Sequence, residues 1–324
     1  MNLDEIYGPI RAELELVEKS LAELSLSGGR PISEALSDML NAGGKRLRPA
    51  LLLTAARACG YAGERAIRLA VAVELIHTAS LIHDDVIDDG NLRRGVPTVN
   101  ARCGTRISVL LGDHLYAKVV GLLAEDGNLE VIRNVAAAVG TMTDGEMRQT
   151  LCRNDVSVTE EKYLSIIAGK TAALISCSCR VGAMLGENHN GETDILADYG
   201  LNLGMAFQIT DDLLDLTGEE NKLGKPVGND IREGRLTLPF IHALGAAKEK
   251  ERRWMQDVFR TGRISGSTLA RIKSMVQERG GIQYSLDKAR QYGSACKEGL
   301  TFLKESQPRN ALALLADHVV ARAF

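Results

Sequence analysis

No proline interrupts the chain between Pro97 and Pro226, and a stretch of that length without proline is suited to long, unbroken helices. Within it Ile107, Leu110, Leu111, His114, Leu115, Val119 and Leu122 recur at three- and four-residue spacing, the apolar stripe of a helix. The same period runs through 3–24, 66–87, 163–185, 196–216, 237–259 and 311–320. Strand signals are weak. Aromatic residues are 4% of the chain, alternating runs are short, and Asp89-Gly90, Asp126-Gly127 and Asp144-Gly145 punctuate helical patterns instead of joining two strands. The expectation is an all-α fold of about a dozen helices.

No linker rich in serine, proline or glycine divides the sequence and no short-period repeat is visible, so 1–324 is read as one domain. With 45% hydrophobic and 25% charged residues the composition is that of a globular protein. A formal net charge of -3 supplies no global field for nucleic acid, so nucleic acid is excluded as a partner and any anionic ligand must be held by a local cluster. The first residues lack a basic segment followed by an apolar one, and no window reaches ~18 consecutive apolar residues, so a cytoplasmic protein without a transmembrane segment is expected. The six cysteines are scattered without a CxxC pair and read as reduced, mostly buried thiols.

Two segments echo each other. One, from Leu81, reads LIHDDVIDDG; the other, from Phe207, reads FQITDDLLDLTG. On a helix Asp84 and Asp88 project from one face, one turn apart, and Asp211 and Asp215 repeat that geometry. Like charges at this spacing destabilise a helix, so something must neutralise them. Magnesium does so, because it takes one or two carboxylates and completes its shell with water and phosphate oxygens. A single DDxxD is more often a solvated acidic turn at a helix end. Two copies on apolar helices favour a metal-diphosphate site, and the DxDxDG spacing of a calcium loop is absent.

Fixed cations accompany the aspartates. The run GGKRLRP at 43–49 carries Lys45, Arg46 and Arg48; Arg93 and Arg94 follow the first cluster; GKT at 169–171 and GKPVGND at 224–230 add Lys170 and Lys225. Each alone is usually a helix end or a solvated face, and none matches GxxxxGK[ST]. Together, beside the aspartates, they read as diphosphate ligands, arginine as a fork and lysine as a point charge. His77 lies two turns before Asp84 on nearly the same helical face, where a phosphate contact competes with the role of a satisfied core histidine.

These residues together resemble the trans-isoprenyl diphosphate synthase, or polyprenyl synthetase, family over about Lys45 to Pro239, and most of all its octaprenyl and other long-chain members. The matching motifs are GGKRLRP, LIHDDVID, LRRG, GKT, FQITDDLLD and GKPVGNDIREGRLTLP. The resemblance implies the isoprenoid synthase fold around a deep central cavity. It implies that Lys45, Arg48, His77 and Arg94 hold isopentenyl diphosphate, and that Arg93, Lys170, Thr171, Gln208 and Lys225 serve the allylic substrate. Two or three magnesium ions would sit on Asp84, Asp88, Asp211 and Asp215. The sequence departs from the family pattern at Arg235, where lysine is usual, at Cys103, and in a C-terminus holding only Arg322 as a basic residue.

The implied reaction ionises an allylic carbon-oxygen bond, adds the isopentenyl double bond to the cation and loses a proton. Asp84, Asp88, Arg93, Lys170, Thr171, Gln208, Asp211 and Lys225 would carry it. A terpene cyclase is disfavoured by the second DDxxD and by Lys45 and Arg48; a helical regulatory subunit is disfavoured by intact acidic and basic clusters. Small residues before Asp84, Ala79 and Ser80, stand where aromatic residues in the family stop growth at C15 or C20, so a C30 to C50 product for quinone side chains, delivered to a membrane, is expected. A farnesyl or geranylgeranyl product is the alternative. Placement on a helical wheel favours Ser80 over Ala79. A homodimer is expected from the resemblance and from the number of apolar helical faces.

Overall fold

The computed structural model describes residues 3–25, 30–41, 45–93, 95–186, 191–218, 227–261 and 264–322. Thirteen longer helices carry the fold among these: α1 (Arg11–Ser25), α2 (Arg30–Asn41), α3 (Leu47–Ala58), α4 (Glu64–Ile87), α5 (Thr105–Asp126), α6 (Leu129–Leu151), α7 (Glu160–Ala183), α8 (Glu192–Thr217), α9 (Leu238–Ala246), α10 (Glu249–Thr261), α11 (Gly266–Glu278), α12 (Gly281–Leu300) and α13 (Gln307–Ala321). The proline-free stretch forms α5 to α8, as its composition predicts. The β structure described is one two-residue ribbon, β1 (Leu92–Arg93) antiparallel to β2 (Val96–Pro97), with Arg93 opposite Val96.

The chain divides into two compact units. The first comprises Met1–Val139, Leu174–Ala197 and Leu300–Leu314; the second comprises Gly140–Ala173, Asp198–Gly299 and Leu315–Phe324.

The first unit is built on α4, which packs against α1, α3 and α5. Its buried residues run from Ala66 through Leu69–Ile76 to Ala79 and Ile82, covering all faces, as a central helix requires. At its start Arg65 forms a fork on Asp126 at the end of α5, with Nη2 2.8 Å from Oδ2. At its end Asp89 takes a left-handed conformation (φ +50°), and the Asp88 and Gly90 amides close on the carbonyls of Asp84 and Asp85. The glycine after Asp126 caps α5 in the same left-handed way (φ +69°).

The second unit has its own core, in which Tyr163, Ile166 and Ile167 of α7 meet Ile209 and Leu213 of α8, Phe240 and Ala243 of α9, and Ile272 and Val276 of α11. Here α7 widens into a π-turn at Ala168–Ala172, the segment that holds Gly169, Lys170 and Thr171.

Three expectations need correction. Residues 3–24 do not form one helix, because Pro9 opens a tight turn over Gly8–Ile10 before α1 begins. Residues 237–259 break at Ala247, where the Arg252 guanidinium takes up the free carbonyls of Leu244, Gly245 and Ala247 at 3.0–3.3 Å and the Glu251 carboxylate caps the Lys248 amide. Asp144-Gly145 does not end a helix; it lies inside α6. A Cβ on Gly145 would collide with the backbone nitrogen of Lys170, so the glycine buys close approach of α6 to the π-turn.

Although no run of consecutive apolar residues reaches membrane length, α4, α5 and α7 are long and apolar enough to cross a membrane by length and composition. Burial within the fold accounts for that composition in α4 and α7, whose most apolar windows are 67% and 61% buried; in α5 the figure is 33%.

Candidate functional site

In the first unit, the last turn of α4 presents Asp84 and Asp85, and Asp88 caps the helix. Asp84 and Asp88 are half-buried, one turn apart. Asp85 is buried and faces the ribbon, where Arg93 Nε and Nη2 lie 2.9 and 2.8 Å from its Oδ1. Burial raises the Asp85 pKa against the lowering effect of the Arg93 hydrogen bonds. Burial, then the charges of Asp84 and Asp113, raise the Tyr116 phenol.

The same unit carries Lys45, exposed, and Arg48, half-buried in the first turn of α3. His77 is half-buried on α4 and its carbonyl accepts the Ser80 hydroxyl at 2.8 Å. Ala79, which the wheel ranked below Ser80, is the fully buried one of that pair. Arg94 lies outside the described residues.

In the second unit a chain of hydrogen bonds links the π-turn to α8. The Thr171 hydroxyl donates to Gln208 Oε1 at 2.7 Å, Gln208 Nε2 donates to Asp212 Oδ1 at 2.8 Å, and the Tyr163 hydroxyl donates to Asp212 Oδ2 at 2.6 Å. Burial pushes the Asp212 carboxyl upward against those two hydrogen bonds. Lys170 is held by the Gln149 amide oxygen at 2.7 Å and by Glu146. Gln149, Tyr163, Lys170, Thr171, Gln208 and Asp212 line a cavity of about 80 Å³ together with Asp230 and Arg235.

Asp211 and Asp215 flank this network differently. Arg322 Nη2 lies 3.2 Å from Asp211 Oδ1, and its guanidinium sits 5.3 Å from the centre of the Phe207 ring. Asp215 is buried, and its Oδ2 accepts the Asp230 amide at 3.1 Å. Arg235 pairs with Glu233 Oε2 at 2.9 Å. Cys103 ends the short helix Val99–Cys103 before Gly104. Lys225 lies outside the described residues.

Sequence reasoning did not find Glu146, Gln149 and Tyr163. Glu146 and Gln149 are three apart, on one helical face, but nothing in their spacing names a lysine as partner. Tyr163 reads as one more apolar position of α7, because its partner Asp212 is 49 residues away. Among the described residues no group of three histidine, cysteine or acidic side chains could hold a metal by itself. Each aspartate pair offers oxygen donors to an ion that completes its shell elsewhere.

The Polyprenyl synthetase family model matches residues 30–276. The short chain isoprenyl diphosphate synthase of Methanothermobacter thermautotrophicus is 36% identical over 98% of this chain and 99% of that protein. Among solved structures, a decaprenyl diphosphate synthase from Rhodobacter capsulatus superposes with a TM-score of 0.93 at 36% identity, covering 100% of both chains. A polyprenyl synthase from Caulobacter crescentus, complexed with calcium and isoprenyl diphosphate, gives a TM-score of 0.93 at 33% identity over 99% of this chain and 98% of that one. The helices, the duplicated aspartate pairs and these matches agree: the chain belongs to the polyprenyl synthetase family and is a prenyltransferase that makes isoprenyl diphosphates.

Proposed function

We propose that the protein is a magnesium-dependent all-trans polyprenyl diphosphate synthase, adding isopentenyl diphosphate head to tail to an allylic diphosphate and releasing a C30 to C50 product. The observation that carries the reading is the pair of DDxxD segments, each with two carboxylates one helical turn apart and each accompanied by basic residues of its own unit.

In this reading Asp84, Asp88, Asp211 and Asp215 hold the ions. Their donor set fits magnesium, since two carboxylates per ion leave positions for water and phosphate oxygens. Bound magnesium supplies positive charge that stabilises the departing pyrophosphate. Lys45, Arg48, His77 and Arg94 hold isopentenyl diphosphate; Arg93, Lys170 and Lys225 hold the allylic diphosphate. Glu146 and Gln149 aim the Lys170 ammonium. Asp212 locks the Gln208 amide so that its oxygen accepts from Thr171, and these fixed dipoles steady an allylic cation without attacking it. The proton lost from the carbon beside the new cationic centre, which restores the double bond, goes to pyrophosphate.

A shorter product is favoured by the 36% identical short-chain relative. For the longer one stand Ala79 and Ser80, which place no aromatic plug before Asp84. Chromatography of dephosphorylated products from labelled isopentenyl diphosphate decides between them: C30 or longer supports the proposal, and C15 or C20 alone overturns its chain length. We read the enzyme as cytoplasmic, and as a homodimer because Val109, Leu110 and Val120 leave an apolar face of α5 exposed. Sedimentation of a 35 kDa species at micromolar concentration would contradict the dimer.

A further inference from the structure

Arg46 stands inside the basic run Lys45-Arg46-Leu47-Arg48, yet its side chain is only 12% exposed and turns into the first unit. Nε and Nη2 form a fork on the Glu18 carboxylate of α1, with Nη2 3.0 Å from Oε2. Nη1 donates to Glu74 Oε1 of α4 at 2.9 Å, and Nη2 donates also to the Leu40 carbonyl of α2 at 2.6 Å. One guanidinium therefore ties three helices together at the residue before α3 begins.

The arrangement is unfavourable in two ways. Arg46 has φ +43° and ψ +38°, a left-handed conformation that strains any residue with a Cβ. Glu74 is a buried carboxylate within the apolar run Leu69–Ile76 of α4, and an apolar pair of similar volume would serve stability as well as an ion pair there. Strain and buried charge at one residue persist where the geometry they impose is used.

What they impose is the placement of the neighbours. The Tyr7 hydroxyl donates to the Lys45 carbonyl at 3.0 Å, holding the residue before Arg46, and Arg48 follows in the first turn of α3. Glu74 precedes His77 by three residues, on the same face of α4. The Arg46–Glu74 pair thus couples the segment bearing Lys45 and Arg48 to the helical turn bearing His77.

We infer that Arg46 is a positioning residue: clamped by Glu18 and Glu74, it sets Lys45 and Arg48 in register with His77 and so governs affinity for isopentenyl diphosphate without touching it. The inference rests on the assignment of those three residues under Proposed function. Cations held in place before binding lose less conformational freedom when the diphosphate arrives, which is where the affinity comes from.

The test is steady-state kinetics of Glu74→Gln and Arg46→Lys, with Arg48→Ala as control and a thermal melt of each. Glutamine keeps the shape of Glu74 but not its charge; lysine keeps the charge of Arg46 but not its fork. Both variants are expected to raise the KM for isopentenyl diphosphate about tenfold while the allylic KM stays within about twofold and kcat within about threefold. The sign is diagnostic for Glu74→Gln. Removing a negative charge would by Coulomb's law alone tighten an anion, whereas loss of positioning weakens it. A KM at or below wild type in a variant that melts cooperatively, or a fall in kcat alone, overturns the inference. Should one variant fail to fold, the other decides. An unchanged KM in Arg48→Ala overturns instead the assignment of this segment to isopentenyl diphosphate.

Discussion

The Tyr163 hydroxyl lies 2.6 Å from Oδ2 of Asp212, with both side chains buried, so the middle aspartate of the second cluster has one oxygen on a phenol and the other on the Gln208 amide. That engagement separates it from Asp211 and Asp215 and gives it an orienting role within its own unit. Tyr163→Phe leaves a buried carboxylate oxygen without its donor and is expected to lower stability by about 1–3 kcal/mol. Denaturant unfolding measures that loss, and an unchanged midpoint would contradict the structural weight given to this bond.

Asp84 and Asp211 stand at equivalent places in the two DDxxD segments. Asp84→Ala and Asp211→Ala are each expected to reduce kcat by several orders of magnitude while leaving the circular dichroism spectrum unchanged. Turnover near that of the wild type in either variant would remove that residue from the metal site.

Chelation addresses the cofactor directly. Wild-type protein treated with EDTA is expected to lose turnover completely and to regain it with magnesium. Undiminished activity in the chelator would exclude the proposed role of the aspartate pairs.

Ala79 has no exposed surface, whereas Ser80 is partly buried and returns its hydroxyl to His77. Ala79→Tyr and Ser80→Phe are expected to shorten the product toward C15 or C20, with overpacking at Ala79 costing about 1–3 kcal/mol. Product chromatography together with a thermal melt separates a blocked path from a damaged fold. A long product unchanged in both variants would end the chain-length assignment.

The Arg65 fork holds the Asp126 carboxyl below the usual carboxylate range, against the opposing effect of burial. A folded-state pKa below the unfolded one means that this contribution is present above the unfolded value of about 3.9 and is lost as pH falls through the folded value. Asp126→Asn is therefore expected to lower stability at neutral pH by about 1–3 kcal/mol and to flatten the acid side of the stability profile. Parallel wild-type and variant profiles below pH ~4 would refute the linkage.

Much of this was legible in the sequence because it is local. Helical period and the absence of proline over 98–225 specify long helices through backbone sterics alone, and Asp84, Asp88, Asp211 and Asp215 stand one turn apart by helical geometry whatever surrounds them. Motif order was enough to name the family. The misreading at Asp144-Gly145 arose where a partner outside the local window decided the outcome, the Lys170 backbone pressing on a glycine. Those at 3–24 and 237–259 have causes inside the segments that hydrophobic period alone does not weigh: Pro9 opening a turn, and the Arg252 guanidinium collecting carbonyls.

Tertiary structure alone decided which charges are spent on protein partners. Arg46 and Arg48 are two residues apart and equal in sequence, yet Glu18 and Glu74, contributed by other helices, draw Arg46 inward. Asp211 and Asp212 are adjacent, yet Tyr163 and Gln208 take up both oxygens of Asp212. The physical reason is that a buried charge is tolerated only beside a partner, and the partner is fixed by the packing of segments distant in the chain.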